Sequence, residues 1–231
     1  LQLVPHDFWQ SIHPAGSFDP APAGGHHDLY PATLPDGRQI VLPIRVLPDG
    51  EDRAVASLIL NQASFAVSDA LADAVAAKVR PLDADIVVGL PTLGLVLAEA
   101  LARRLSHSRY VPLGTSRKFW YDERLSEPLS SVTSPGTAQK RLYVDPRMLP
   151  LLQGRRVLLV DDVVSTGASM ASALALLARA GVAPAGIAVA MTQSERWRAR
   201  LADTGWAGGV AAAIATPLLA RGRDGGWRPA M

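Results

Sequence analysis

The chain has 231 residues, 48% hydrophobic and 19% charged, a globular balance under which a sizeable core is expected rather than disorder. Its 23 basic and 21 acidic residues leave a net charge of +2, too small an excess to argue for a nucleic-acid surface but compatible with a local basic site for a phosphorylated small molecule. Cysteine is absent, which excludes disulfides, thiolate catalysis and zinc–thiolate sites, and no apolar stretch approaches the roughly 18 residues of a membrane span.

Residues 1–27 are rich in Pro, Gly and His without a sustained period and are expected to be irregular or partly extended. They begin without a basic region followed by an apolar run, so no signal peptide is expected and a cytoplasmic location is the default reading. His6, His13, His26 and His27 lack helical metal-ligand spacing and read as loop residues. Residues 28–34 and 38–47 flank Pro35-Asp36-Gly37, a favoured tight turn, and predict a hairpin. Pro43 cannot donate to a ladder, which assigns the second arm to a sheet edge. Pro48-Asp49-Gly50 turns the chain again. Residues 53–80 are expected to be helical, with Val55, Leu58, Ile59, Gln62, Phe65 and Ala66 giving a rough helical period, and a second helix running from Ser68 or Asp69 to Lys78 before Pro81 stops it. A β–loop–α rhythm follows: a strand at 85–90, a helix at 95–105, a short strand at 109–112, an apolar strand at 156–160, a helix at 168–180 closed by Gly181, and strands at 185–192 and 208–215. The polar stretch 114–140 has no clear period, as an active-site lid would. Strands alternating with helices predict a single α/β domain, its central, mainly parallel sheet of about five strands flanked by helices. Residues 61–199 would form the core, and the segments 1–60 and 200–231 a small hood.

The segment Val157-Leu158-Leu159-Val160-Asp161-Asp162-Val163-Val164-Ser165-Thr166-Gly167-Ala168-Ser169 carries the chemistry. An apolar strand leads into two carboxylates, then into Ser-Thr-Gly and a helix, and ligands of parallel sheets sit beyond such strand ends. A helix start offers free N–H groups and a positive dipole end to phosphate. Ser165, Thr166 and Ser169 add hydroxyl donors, and Gly167 lets the backbone approach closely. Asp161 and Asp162 would repel a phosphate but suit the vicinal hydroxyls of a ribose. The plainer alternative is an acidic N-cap on a buried helix. Runs of the GxxxxGK[ST] or GxGxxG type are absent, which argues against a P-loop ATPase or a dinucleotide enzyme.

This run resembles the signature of the type I phosphoribosyltransferases, with Ser165 where many members carry Ala or Thr, and the similarity extends over about residues 85–192. Adenine phosphoribosyltransferases look nearest, through Val88-Gly89-Leu90-Pro91-Thr92-Leu93-Gly94, the pair Arg117-Lys118, and Tyr143. The resemblance implies a Rossmann-like enzyme that transfers 5-phosphoribose from phosphoribosyl pyrophosphate to a purine-type base, releasing pyrophosphate. It also implies Mg²⁺ held through substrate and water, with Asp161 and Asp162 as the acids nearest it, and a homodimer that needs neither nucleic acid nor membrane. Val163, Val164, Ser165, Thr166, Gly167, Ala168 and Ser169 would hold the 5′-phosphate, and Asp161 and Asp162 the ribose diol. Leu90, Pro91, Thr92, Leu93 and Gly94 would form the pyrophosphate loop, with a cis peptide between Pro91 and Thr92. Arg117 and Lys118, on a lid of residues 114–142, would neutralise the departing pyrophosphate, with Lys140 and Arg141 acting from the far hinge. Phe119, Trp120 and Tyr121 either stack on the base, clamp the lid or pack on the domain, and Trp197 is a candidate base platform. One departure concerns the base: residues 128–145 contain no Glu where adenine enzymes carry one in the lid, and Glu127 lies early. Orotate, uracil or another heterocycle is the alternative acceptor, and a non-catalytic phosphoribosyl pyrophosphate sensor the alternative role. Arg117-Lys118 favours the enzyme, because a sensor has no leaving group to stabilise.

Overall fold

The computed structural model describes residues 3–48, 50–129 and 140–230. The first strands are β1 (Leu29–Thr33), β2 (Gln39–Val46) and β3 (Arg53–Ala56), followed by helix α1 (Phe65–Val79). Next come β4 (Ile86–Gly89), α2 (Gly94–Arg104), β5 (Val111–Pro112), β6 (Ser126–Pro128) and β7 (Arg141–Tyr143). The second half contains β8 (Val157–Val164), α3 (Ala168–Arg179), β9 (Pro184–Gln193), α4 (Arg196–Ala202), β10 (Val210–Thr216), β11 (Leu218–Arg221) and β12 (Trp227–Pro229).

The core is the expected parallel sheet, ordered β10-β9-β8-β4-β5. β8 runs through its centre, and Val157, Leu158, Leu159 and Val160 are fully buried, as a strand covered on both faces requires. α1 and α2 cover one face, where Leu71, Val75, Leu97 and Leu101 pack with Leu158 and Val160. α3 covers the other, where Leu176 and Leu177 pack with Val157 and Leu159. β6 and β7 form a small antiparallel pair within the polar stretch read as structureless, with Ser126 opposite Tyr143; residues 130–139 between them lie outside the described residues.

The hood is a second, antiparallel sheet ordered β1-β2-β3-β11-β12, built from both ends of the chain. The predicted hairpin is present, with Thr33 opposite Gln39 and Gly37 supplying the positive φ of its turn. The C-terminal share of the hood is β11 and β12, because β10 belongs to the parallel sheet. The turn read at Pro48-Asp49-Gly50 falls on Asp49, outside the described residues.

Two expectations are corrected. Residues 53–56 are not helical but form β3, which pairs with β2 (Ile44 opposite Ala56) and with β11 (Leu218 opposite Val55). The local period was outweighed by partners distant in sequence, as is common for strands. Leu60–Gln62 make a single 3₁₀ turn, and one helix, α1, starts where Ser64 Oγ accepts the Val67 N–H at 3.2 Å.

Pro43 is the second correction: β2 lies between β1 and β3, not at an edge. Ser57 donates its N–H to Pro43 O at 2.9 Å. An antiparallel pair of this kind normally returns a bond, which proline cannot do. The Ser57 carbonyl is satisfied instead by Trp9 Nε1–H at 2.9 Å, from a side chain only 2% exposed. The irregular N-terminal segment thus supplies a missing ladder donor. Trp9→Phe should therefore lower stability by about 1–2 kcal/mol in urea denaturation. Adding Pro43→Ala, which restores an N–H at the ladder position, should recover part of that loss.

Candidate functional site

α2 and α3, which follow the neighbouring strands β4 and β8, lie on opposite faces of the sheet. This is the topological switch point at which parallel sheets open a crevice beyond their strand ends. Asp161 and Asp162 stand there inside β8, which is longer than the sequence suggested: its pairing with β9 continues to Val163 opposite Met191 and Val164 opposite Thr192. The acidic N-cap alternative does not hold, because Gly167, at φ +79°, is the N-cap of α3 and both acids precede it in the strand.

Beyond the strand ends lies a cavity of about 930 Å³ between the sheet and the hood. Residues 161–170 line one side, bringing Asp161, Asp162, Val163, Val164, Ser165, Thr166, Gly167, Ala168 and Ser169 together as read from the sequence. The hood supplies Arg45, Leu47, Val55, Ser57 and Leu58, and β9 adds Met191 and Gln193. Gln193 ties the two sheets together, its Nε2 donating to Ala56 O at 2.8 Å. Arg196, at the start of α4, completes the wall.

The two carboxylates are each only 9% exposed and form no ion pair among the described residues. Asp162 N–H donates to Asp161 Oδ1 at 2.9 Å. Burial raises the pKa of both acids, and the neighbouring charge of Asp162 raises Asp161 further. Such a pair calls for protons, hydroxyl donors or a cation. As a set of hard oxygen donors it fits Mg²⁺ in preference to softer metals.

The Leu90–Gly94 loop abuts the acids. The Pro91–Thr92 peptide is cis, as the resemblance implied. Leu90 N–H donates to Val160 O at 2.9 Å. A Cβ at Gly94 would lie 2.6 Å from Asp161 Oδ1 and 2.7 Å from Asp161 Cα, so only glycine lets this backbone lie against the acid.

The cations expected on a lid stand outside the cavity wall. Arg117 pairs with Glu123 at 2.7 Å, and exposed Lys118 has no side-chain partner among the described residues. Arg141 donates to Ser126 Oγ at 2.9 Å, which fixes β7 to β6, while Lys140 is exposed. Phe119 is 93% exposed. Trp120 carries the Arg147 guanidinium 4.5 Å from its ring centroid. Glu127 is held by Arg179 at 2.7 Å, at the end of α3.

Trp197 is corrected as a base platform: it is buried, its Nε1 donates to Ser194 O at 2.9 Å, and its backbone packs on Gly167. It props the loop from behind. The sequence reading missed Arg45 and Ser57, whose approach to the site depends on the hood pairings, and Gln193, one residue past the strand expected at 185–192; Arg196 was noted beside Trp197 after that strand, without a role of its own.

The phosphoribosyl transferase domain family matches residues 57–205. The chain belongs to this family. An adenine phosphoribosyltransferase from Thermobifida fusca (strain YX) is 35% identical over 138 residues, covering 58% of this chain and 74% of that protein. An orotate phosphoribosyltransferase from Stenotrophomonas maltophilia (strain K279a) is 34% identical over 112 residues, or 48% of this chain and 43% of that protein. The chain spans about half the length of the orotate relatives it matches. Among solved structures, the adenine enzyme of Giardia lamblia, complexed with 9-deazaadenine, superposes with a TM-score of 0.58 at 25% identity, over 75% of this chain and 93% of that one.

The buried acids also set a stability test. Because their folded pKa values are raised, the folded state holds protons that the unfolded chain has released. Their own contribution to stability is therefore most favourable below the unfolded value of about 3.9 and is lost as pH climbs through the raised folded values. Asp161→Asn keeps an acceptor for the Asp162 N–H. It should raise stability at neutral pH by on the order of 1–3 kcal/mol, and denaturation curves across pH should show the gain vanishing near about pH 3.

Proposed function

We propose that this chain transfers 5-phosphoribose from phosphoribosyl pyrophosphate to a ring nitrogen of a purine-type base, releasing pyrophosphate. The observation that carries the reading is the buried Asp161–Asp162 pair, with no cationic partner among the described residues, at the mouth of a serine- and threonine-rich loop in a cavity roofed by the hood. Membership of the phosphoribosyl transferase domain family supports it.

In this reading the loop 163–169 receives the 5′-phosphate through its amides and the Ser165, Thr166 and Ser169 hydroxyls. The ribose 2′- and 3′-hydroxyls donate to Asp161 and Asp162, which relieves the burial of two like charges. The acids in turn favour positive charge at C1 as the C1–O bond to pyrophosphate lengthens. The base nitrogen forms the new C1–N bond as the C1–O bond breaks, and its proton passes to the departing pyrophosphate or to solvent. Catalysis is then mostly positioning and electrostatics. The backbone of Leu90–Gly94 receives the pyrophosphate beside Asp161. Arg117, freed from Glu123, and Lys118 neutralise it from the lid. Asp161 and Asp162, through ribose hydroxyls and water, are the residues that would hold Mg²⁺, which when bound supplies charge neutralisation for the leaving group. A homodimer and a cytoplasmic setting belong to the same proposal.

The base would lie between Met191 and the apolar hood residues Leu47, Val55 and Leu58. A second reading has a specific support: Arg45 is a cation in the hood wall and suits a carboxylate-bearing base such as orotate. A panel of free bases with phosphoribosyl pyrophosphate and Mg²⁺, followed as pyrophosphate release, separates the two. Adenine or another purine should give turnover, preference for orotate would favour the second reading, and binding without turnover on any base would favour a sensor. Asp161→Asn with Asp162→Asn should weaken phosphoribosyl pyrophosphate binding roughly 10- to 100-fold by calorimetry. Lys118→Ala should lower kcat by roughly 100-fold while leaving that affinity largely intact.

A further inference from the structure

We infer that Arg196 is a fixed guanidinium clamp on the 5′-phosphate, added to the loop from a separate element. The inference rests on the proposed function, because it names a second source of binding for the same phosphate.

The turn between β9 and α4 is built to deliver this side chain. Ser194 takes a positive φ of 60° and donates its N–H to Thr216 O at 2.7 Å, locking the turn to β10. The Ser194 carbonyl accepts Trp197 Nε1–H, and its hydroxyl oxygen accepts Arg196 Nε–H at 3.2 Å. Behind the turn, a Cβ on Gly167 would fall 3.2 Å from both Cα and O of Trp197, so the phosphate loop and the start of α4 are packed backbone to backbone. From that anchorage the Arg196 Nη2 reaches Ser165 Oγ at 3.3 Å, and both residues line the cavity.

The charge of Arg196 is left available. Its chain neighbour Glu195 is engaged by Arg198, and Arg196 forms no ion pair among the described residues. Planar guanidinium donors match phosphate oxygens in charge and in geometry, and bonds of this charge-assisted kind are about twice as strong as neutral ones. Arg196 would therefore convert a loop of neutral donors into a site selective for a dianion.

Two ligands without a base, phosphoribosyl pyrophosphate and ribose 5-phosphate, test the assignment by titration calorimetry. Arg196→Gln keeps hydrogen-bonding capacity but loses the charge, and should weaken both ligands roughly 10- to 100-fold. Arg196→Lys, which restores the charge but not the planar fork, should recover part of the loss. The second pKa of bound ribose 5-phosphate, followed by ³¹P NMR, should be higher in Arg196→Gln than in the wild type, a shift that a purely structural role would not produce. Affinities of Arg196→Gln within twofold of wild type, equal impairment of the Gln and Lys variants, or an unmoved phosphate pKa would overturn the clamp while leaving the transferase reading standing. Failure of the wild-type chain to bind either ligand would overturn both.

Discussion

Two carboxylates buried side by side at the end of a central strand are a cost that the rest of the fold has to carry. Glu127 and Asp145, half-buried acids elsewhere in the chain, are held by Arg179 and Arg147. Asp161 and Asp162 have no such relief among the described residues, and burial pushes both toward the protonated form. A strand anchored by hydrophobic burial on both faces can bear that strain because its position does not depend on the acids. Val157 to Val160 hold β8 in place, and the two acids sit where the covering helices diverge.

The surroundings follow from that placement. The Leu90–Gly94 loop approaches Asp161 so closely that position 94 admits only glycine, and Gly167 plays the same part against Trp197 on the other side. Asp161 is thus approached by main chain at Gly94 rather than by a long side chain. Backbone donors do not need to be ordered when a ligand arrives, which limits the entropic loss on binding. Arg45 and Arg196 stand in the cavity wall, while Arg117 and Lys118 lie outside it.

Features legible from the sequence were those whose determinants are contiguous. The run from Val157 to Ser169 holds strand, acids, loop and helix start in one stretch, and the hairpin around Pro35-Asp36-Gly37 is equally local. The features that escaped depend on distant partners. β3 is a strand because β2 and β11 flank it, and Pro43 is tolerated inside a sheet because Trp9, far away in the chain, donates in its place. Trp197 was noticed for its residue type, but its side chain is buried in the hydrophobic cluster on the α3 face of the sheet, and no period in the sequence reports that packing. Arg45 was invisible for the same reason, since only the hood brings it to the cavity, and Gln193 lies one residue past the strand expected at 185–192.

The hood draws its strands from opposite ends of the chain, and β3 receives its second neighbour only from β11. During synthesis on the ribosome, Val55 and its neighbours must therefore wait, one edge unpaired, until residues 218–221 have been made and have left the exit tunnel. β10 ends at Thr216 and β11 begins at Leu218, so the parallel sheet is completed only just before the C-terminal strands of the hood are made. Until then the hood residues that line the cavity, Arg45, Leu47, Val55, Ser57 and Leu58, belong to a sheet whose last two strands are still missing.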